Sequence, residues 1–117
     1  MRFLLMVQTP GGTQAPGPDD ELAAGMAALL EEMAQSGVLL DAAGLRPAAE
    51  AVRVQLKADE QTVVNGPFAE SKEVVGGYCL LQARSTDEAV HWASRFLGLH
   101  RGDWTMTMEV RQLDAPG

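Results

Sequence analysis

The sequence predicts one α+β domain, an antiparallel sheet carrying two helices on one of its faces. Three observations predict it. Apolar residues fall into two windows of helical spacing and several windows of strand-like spacing. Those windows run in the order strand, helix, two or three strands, helix, strand. The 117 residues, 46% of them hydrophobic, match the length and composition of a single globular domain with one core. Two helices interleaved with such strands must lay their apolar stripes on one sheet face.

The first strand is Phe3-Leu4-Leu5-Met6-Val7. Both of its alternating faces are apolar, so it is expected to be covered on both sides. Residues 9–18, TPGGTQAPGP, hold three Pro and three Gly and predict a loop. The first helix follows, with Asp19 or Asp20 as its cap and Asp19-Asp20-Glu21 at the positive end of its dipole. Leu22, Met26, Leu29, Leu30 and Met33 recur at helical spacing, and Gly37 stands where a C′ glycine ends a helix. Gly25 inside the helix costs about 1 kcal/mol against Ala and is expected to serve close packing.

VLLDAAGLRP is a short extended piece and a turn. Val52, Val54 and Leu56 alternate with Arg53, Gln55 and Lys57, which predicts a half-exposed strand, and ADEQ turns the chain back into Thr62-Val63-Val64. Residues 77–82 form a strand apolar on both faces. In the second helix Ser85 and Glu88 have capping-box spacing, and Ala89, Val90, Ala93, Phe96 and Leu97 form the expected buried stripe. Trp104, Met106, Met108 and Val110 alternate with polar residues in a last strand. Residues 114–117, DAPG, are expected to fray, and residues 1–117 to make one domain. The βαββαβ order is that of the ferredoxin-like motif, here with an added β-hairpin in the middle.

Nine basic and 16 acidic side chains give a net charge of −7. That balance repels phosphate backbones and argues against nucleic acid as a partner. The single cysteine, Cys79, cannot form an intrachain disulfide, and in an apolar strand it is expected to be a small core residue. The five-residue apolar run at residues 3–7 is shorter than the roughly 7–15 residues of a secretory h-region and the about 20 of a membrane span. The expected location is the cytoplasm, with no membrane partner.

The most informative stretch is VVNGPFAESKEVVGGYCLL, residues 63–81. Asn65-Gly66-Pro67 has turn chemistry: Gly supplies backbone freedom and Pro a preset φ. It can be a plain reversal or the lip of a cleft with Glu70 and Lys72 at its edge. Phe68 is expected to be more than half buried, as a plug on the core or as part of a pocket wall. Gly76-Gly77 inside a strand implies close approach of another backbone or of a ligand. Tyr78 can place its hydroxyl in that cleft or at a wet interface. No Walker or dinucleotide-binding glycine pattern is present. His91 and His100 have no His or Cys at ligand spacing, so no metal and no cofactor is expected. His100 lies in GLHRGDW, a loop between the second helix and the last strand.

This stretch resembles the signature of the YCII-related, or DGPF-domain, family: Asn65-Gly66-Pro67-Phe68-Ala69-Glu70-Ser71-Lys72-Glu73, then Gly76-Gly77-Tyr78. SGVLLDAAGLRP, STDEAVHWASRF and MEVRQL are similar to further segments of that family, so the resemblance spans nearly the whole chain. It implies a ferredoxin-like fold of the dimeric α/β-barrel type and no settled activity. Some relatives are encoded beside, or fused to, sigma factors. In the YciI branch a His and an Asp meeting in a cleft have been suggested to be catalytic. Two departures matter. Asn65 replaces the motif's first Asp, and the position of that His falls on or beside Met26, which cannot take a proton.

The expectation is therefore a small-molecule-binding or regulatory homodimer. Its ligand cleft is assigned to Asn65, Gly66, Pro67, Phe68, Glu70, Lys72, Gly77 and Tyr78. The alternatives are an enzyme drawing acid–base groups from Asp41, Glu70, Lys72 and Tyr78, or a purely structural dimer. The homodimer follows from surplus apolar surface, because two helices cover one sheet face while the first strand is apolar on both. The competing cover for the second face is the middle hairpin of the same chain.

Overall fold

A computed structural model describes residues 1–10, 19–66 and 73–114. The chain runs β1 (Arg2–Pro10), α1 (Asp20–Gln35), β2 (Leu39–Gly44), a short 3-10 turn (Ala48–Glu50), β3 (Val52–Lys57), β4 (Glu60–Asn65), β5 (Glu73–Gln82), α2 (Thr86–Leu97) and β6 (Thr107–Gln112). Four strands form one sheet in the order β2-β5-β1-β6, and every neighbouring pair is antiparallel. Strands β1 and β2 thus run the same way with β5 between them, the split β-α-β arrangement of the ferredoxin-like motif. The hairpin β3-β4 is a separate two-stranded sheet inserted between β2 and β5.

The helix ends follow from local chemistry. Asp19 caps α1, its Oδ1 accepting from the Leu22 N–H at 2.7 Å. At the other end Gly37 takes φ +80°, its N–H reaches the Ala34 carbonyl, and the Val38 N–H reaches the Met33 carbonyl. That pair of bonds is a Schellman ending, which needs a residue free to turn left-handed. Ser85 caps α2 through its Oγ, which accepts from the Glu88 N–H at 3.1 Å. The Glu88 carboxylate turns instead to Arg84 at 2.8 Å, so only half of the expected capping box forms.

Side-chain alternation and strand register fix the two sheet faces. Phe3, Leu5, Cys79 and Leu81 are buried with Leu29 and Met33 of α1 and Ala89 and Ala93 of α2. Met108 and Val110 of β6 pack at the edge of that core. The opposite face carries two rows across the sheet: Asp41, Leu80, Leu4, Arg111 and then Ala43, Tyr78, Met6, Glu109. Among the described residues no helix covers it, and its central side chains Leu4, Met6, Tyr78 and Leu80 are half-buried.

Several boundaries differ from the sequence reading. β1 continues through Thr9 and Pro10, which pair with Val74 and Glu73 after a bulge at Val7/Gln8. β6 begins only at Thr107, so Trp104 and Met106 precede it. Val90 is exposed, and Trp92 packs against the core in its place. β3 is exposed along its whole length rather than on one face. Val54 and Leu56 are 67% and 70% exposed, so the hairpin does not cover the open sheet face. It projects from the domain. The radius of gyration is 16.2 Å, against about 13 Å for a compact chain of this length.

Candidate functional site

A cavity of about 450 Å³ lies between the four-stranded sheet and the helices, within the roughly 300–1,000 Å³ of small-molecule sites. Its origin is a mismatch of side-chain size. Gly44 and Ala42 on β2 and Gly77 on β5 put almost nothing over the sheet there, while Met26 and Leu30 of α1 stop short of it. Gly77 is required by its neighbour strand, since a Cβ would stand 2.9 Å from the Ala43 carbonyl oxygen. Gly76 meets no such obstacle. Gly25 lets α1 approach Leu99, whose Cδ2 would lie 3.2 Å from an added Cβ.

The segment from α2 to β6 closes one side of the cavity with three rings. His100 stands between Phe96, 5.1 Å away between ring centres, and Trp104, 5.0 Å away and edge-on. His100 Nδ1 lies 3.1 Å from the Phe96 carbonyl oxygen. A carbonyl can only accept, so Nδ1 donates, and Nε2 of the neutral ring is an acceptor with no partner among the described residues. Thr9 and Cys79 also line the space. Burial pushes the Cys79 thiol up from its ordinary value, which keeps it protonated and unreactive. None of the described lining residues is Asp, Glu, Lys or Arg.

On the other sheet face, two of the four acid–base candidates meet. The Tyr78 hydroxyl donates to Asp41 Oδ2 at 2.9 Å, and Asp41 Oδ1 accepts from the Ala42 N–H at 2.9 Å. The hydrogen bond to Asp41 and the charge of that carboxylate raise the Tyr78 pKa. The phenol therefore holds its proton and serves as a donor. Glu70 and Lys72 lie outside the described residues, as do Pro67 and Phe68. Gly77 and Tyr78 border the cavity. Asn65 ends β4, and Gly66 sits on the 3-10 turn with its N–H donating to the Ala51 carbonyl at 2.8 Å; neither is among the described lining residues. The turn reading expected a positive φ at Gly66, and Gly66 does not take one. A Cβ there would stand 2.9 Å from the Ala49 carbonyl oxygen, so close backbone approach is what excludes a side chain.

A second, more open groove of about 850 Å³ lies at the other end of the helices, beside Gly37, Arg84 and Trp92. Of its charged residues, Arg84 and Glu88 satisfy each other, and Asp87 stands in the first turn of α2. Among the described residues no three of His, Cys, Asp and Glu are grouped to hold a metal ion, and no helix is long and apolar enough to cross a membrane. Sequence reading noted His100 but not its ring partners. The signal was present, since Phe96, His100 and Trp104 recur every four residues.

The fold and this cavity define a ferredoxin-like α+β domain with an inserted hairpin and a pocket under its helices. The chain belongs to the YCII-related family, whose YCII-related domain matches residues 1–97. An uncharacterised protein of Rhizobium meliloti (strain 1021) is 33% identical over 75 residues, covering 64% of this chain and 60% of that relative. The chain thus spans less than two-thirds of that relative's length. The matched domain includes α1, β5 and Phe96 but stops short of His100 and Trp104.

Proposed function

We propose that the chain is a small-molecule-binding module that works as a homodimer in the cytoplasm. The cavity under the helices carries this reading. It is of ligand size and mostly apolar, and His100, whose Nε2 has no partner among the described residues, lines it. An enzymatic reading centred on Asp41 and Tyr78 has less support. Both Asp41 oxygens are already engaged and the Tyr78 proton is donated to Asp41 and held more tightly than usual, so the pair offers neither a free donor nor a free base. The free thiol of Cys79 suits a reducing compartment.

The dimer is supported by the uncovered sheet face, whose centre is Leu4, Met6, Tyr78 and Leu80 and which the hairpin leaves open. A two-fold axis along the strands would lay the Asp41 edge of one copy over the Arg111 edge of the other. Amide-resolved NMR titration with benzyl alcohol and indole tests the cavity. Shifts are expected at Met26, Gly77, His100 and Trp104, and are expected to vanish in Leu30→Trp, which fills the space. Shifts confined to other surfaces, or unchanged in Leu30→Trp, overturn the reading.

A further inference from the structure

We infer that the cavity takes a small apolar carboxylic acid, held by its acid group at His100 Nε2. This deepens the cavity reading above and rests on it. The body of the ligand is set by the walls, which are the side chains of Met26, Leu30 and Phe96 against the bare backbone of Gly77. A flat or short aliphatic group fits such a slot by apolar burial.

The head group is set by charge and hydrogen-bond type. An ammonium would leave water and meet no carboxylate among the described lining residues. A plain hydrocarbon would fill the space but give Nε2 no partner. An acid gives Nε2 what it lacks. The anchored Nδ1–H fixes the tautomer, and the rings of Phe96 and Trp104 fix the plane.

The proton balance is simple. A neutral acid transfers its proton to Nε2, giving a carboxylate and an imidazolium joined by a charge-assisted hydrogen bond. No covalent bond to carbon forms or breaks. When the carboxylate itself binds to the neutral ring, the complex takes one proton from solvent. The other titratable groups near the ring do not compete for it. Cys79 is held protonated by burial, Tyr78 is bound to Asp41, and Arg101 and Asp103 are exposed.

The test is calorimetric titration of the full chain with benzoate and with benzyl alcohol, in two buffers of different ionisation heat. Benzoate is expected to bind about tenfold or more tightly than the alcohol, the worth of one hydrogen bond to a charged group, and to take up a proton. His100→Phe is expected to remove that advantage, so that benzoate binds no more tightly than the alcohol in the same variant. His100→Gln, which keeps a polar side chain but cannot gain a proton, is expected to abolish proton uptake. Proton uptake in the wild-type chain, with a new Nε2–H signal from His100 in its nitrogen NMR spectrum, stands independently of how either variant folds. Equal binding of benzoate and the alcohol, or benzoate binding unaltered in His100→Phe, overturns the acid assignment and leaves the cavity reading intact. Failure of both probes to shift the cavity amides overturns both.

Discussion

Gly66 and Ala58 sit at the two ends of the hairpin and pull its stability in opposite directions. At Gly66 three backbone carbonyls, of Ala49, Ala48 and Ala51, stand 2.9–3.1 Å from where a Cβ would be. Gly66→Ala is expected to cost about 1–3 kcal/mol, the usual range for overpacking, read from urea unfolding. Ala58 and Asp59 form the two-residue turn with φ of +50° and +69°, the signature of a type I′ turn that prefers Asn-Gly. Each non-glycine residue held there costs about 1 kcal/mol, so Ala58→Asn with Asp59→Gly is expected to slow amide exchange along β3 and β4. Tyr78 is the chain's one tyrosine, so alkaline absorbance titration reads it alone. It is expected to ionise above the ordinary 10.0, and Asp41→Asn to bring it back. Because the folded-state value is raised, the pair's contribution is complete below the ordinary value and is lost as pH climbs through the raised one. Residue type made the Asp19 cap and the Gly37 ending legible in the sequence, since both are local. The reason for Gly66 was not, because the carbonyls that exclude a side chain belong to a different segment.

Between elements, the helices are tied on their outer surface by Glu32 of α1 and Arg95 of α2. Arg95 Nη2 reaches Glu32 Oε1 at 2.9 Å while its Nη1 meets the other oxygen. The guanidinium also lies 5.2 Å from the centre of the Trp92 ring, a cation–π contact. The hydrogen bond and charge of Arg95 lower the Glu32 pKa. A depressed carboxylate stabilises above its unfolded value and loses that contribution as pH falls through the folded one. Glu32→Gln is therefore expected to lower the thermal midpoint slightly at pH 7, less so in high salt, and to match the parent at a pH below both values. The helical stripes were readable from spacing, yet Val90 fell outside the core and Trp92 inside it. Periodicity gives the apolar arc of a helix but not the angle at which that arc meets the sheet. Met26 and Leu30 belong to the stripe by spacing and border the cavity in the structure, a difference set by Gly77 and Gly44 across the gap.

For the whole molecule, the succession of elements and the placement of both helices on one sheet face were legible because a βαββαβ sequence leaves few ways to cover apolar strands. The exposure of the hairpin was not, since Val52, Val54 and Leu56 alternate as they would in a strand half-covered by something else. The proposed dimer is tested at this scale. Static light scattering at micromolar concentration is expected to give twice the 12.5 kDa chain mass, and Met6→Lys, at the centre of the open face, to return it to the monomer. A wild-type mass of one chain removes the dimer.

The base of the hairpin has a consequence for how this chain can change in length. Val52 pairs with Asn65, and the Ala51 carbonyl receives the Gly66 N–H at 2.8 Å, so the chain leaves the domain and re-enters it at one point. Everything from Val52 to Asn65 is a detour that the four-stranded sheet does not thread through. Joining Ala51 to Gly66 directly is expected to leave the cooperative unfolding of the rest almost unchanged, and a longer excursion grafted there to be tolerated as well. The same junction is a seam where lineages can add or shed a module without renegotiating the core.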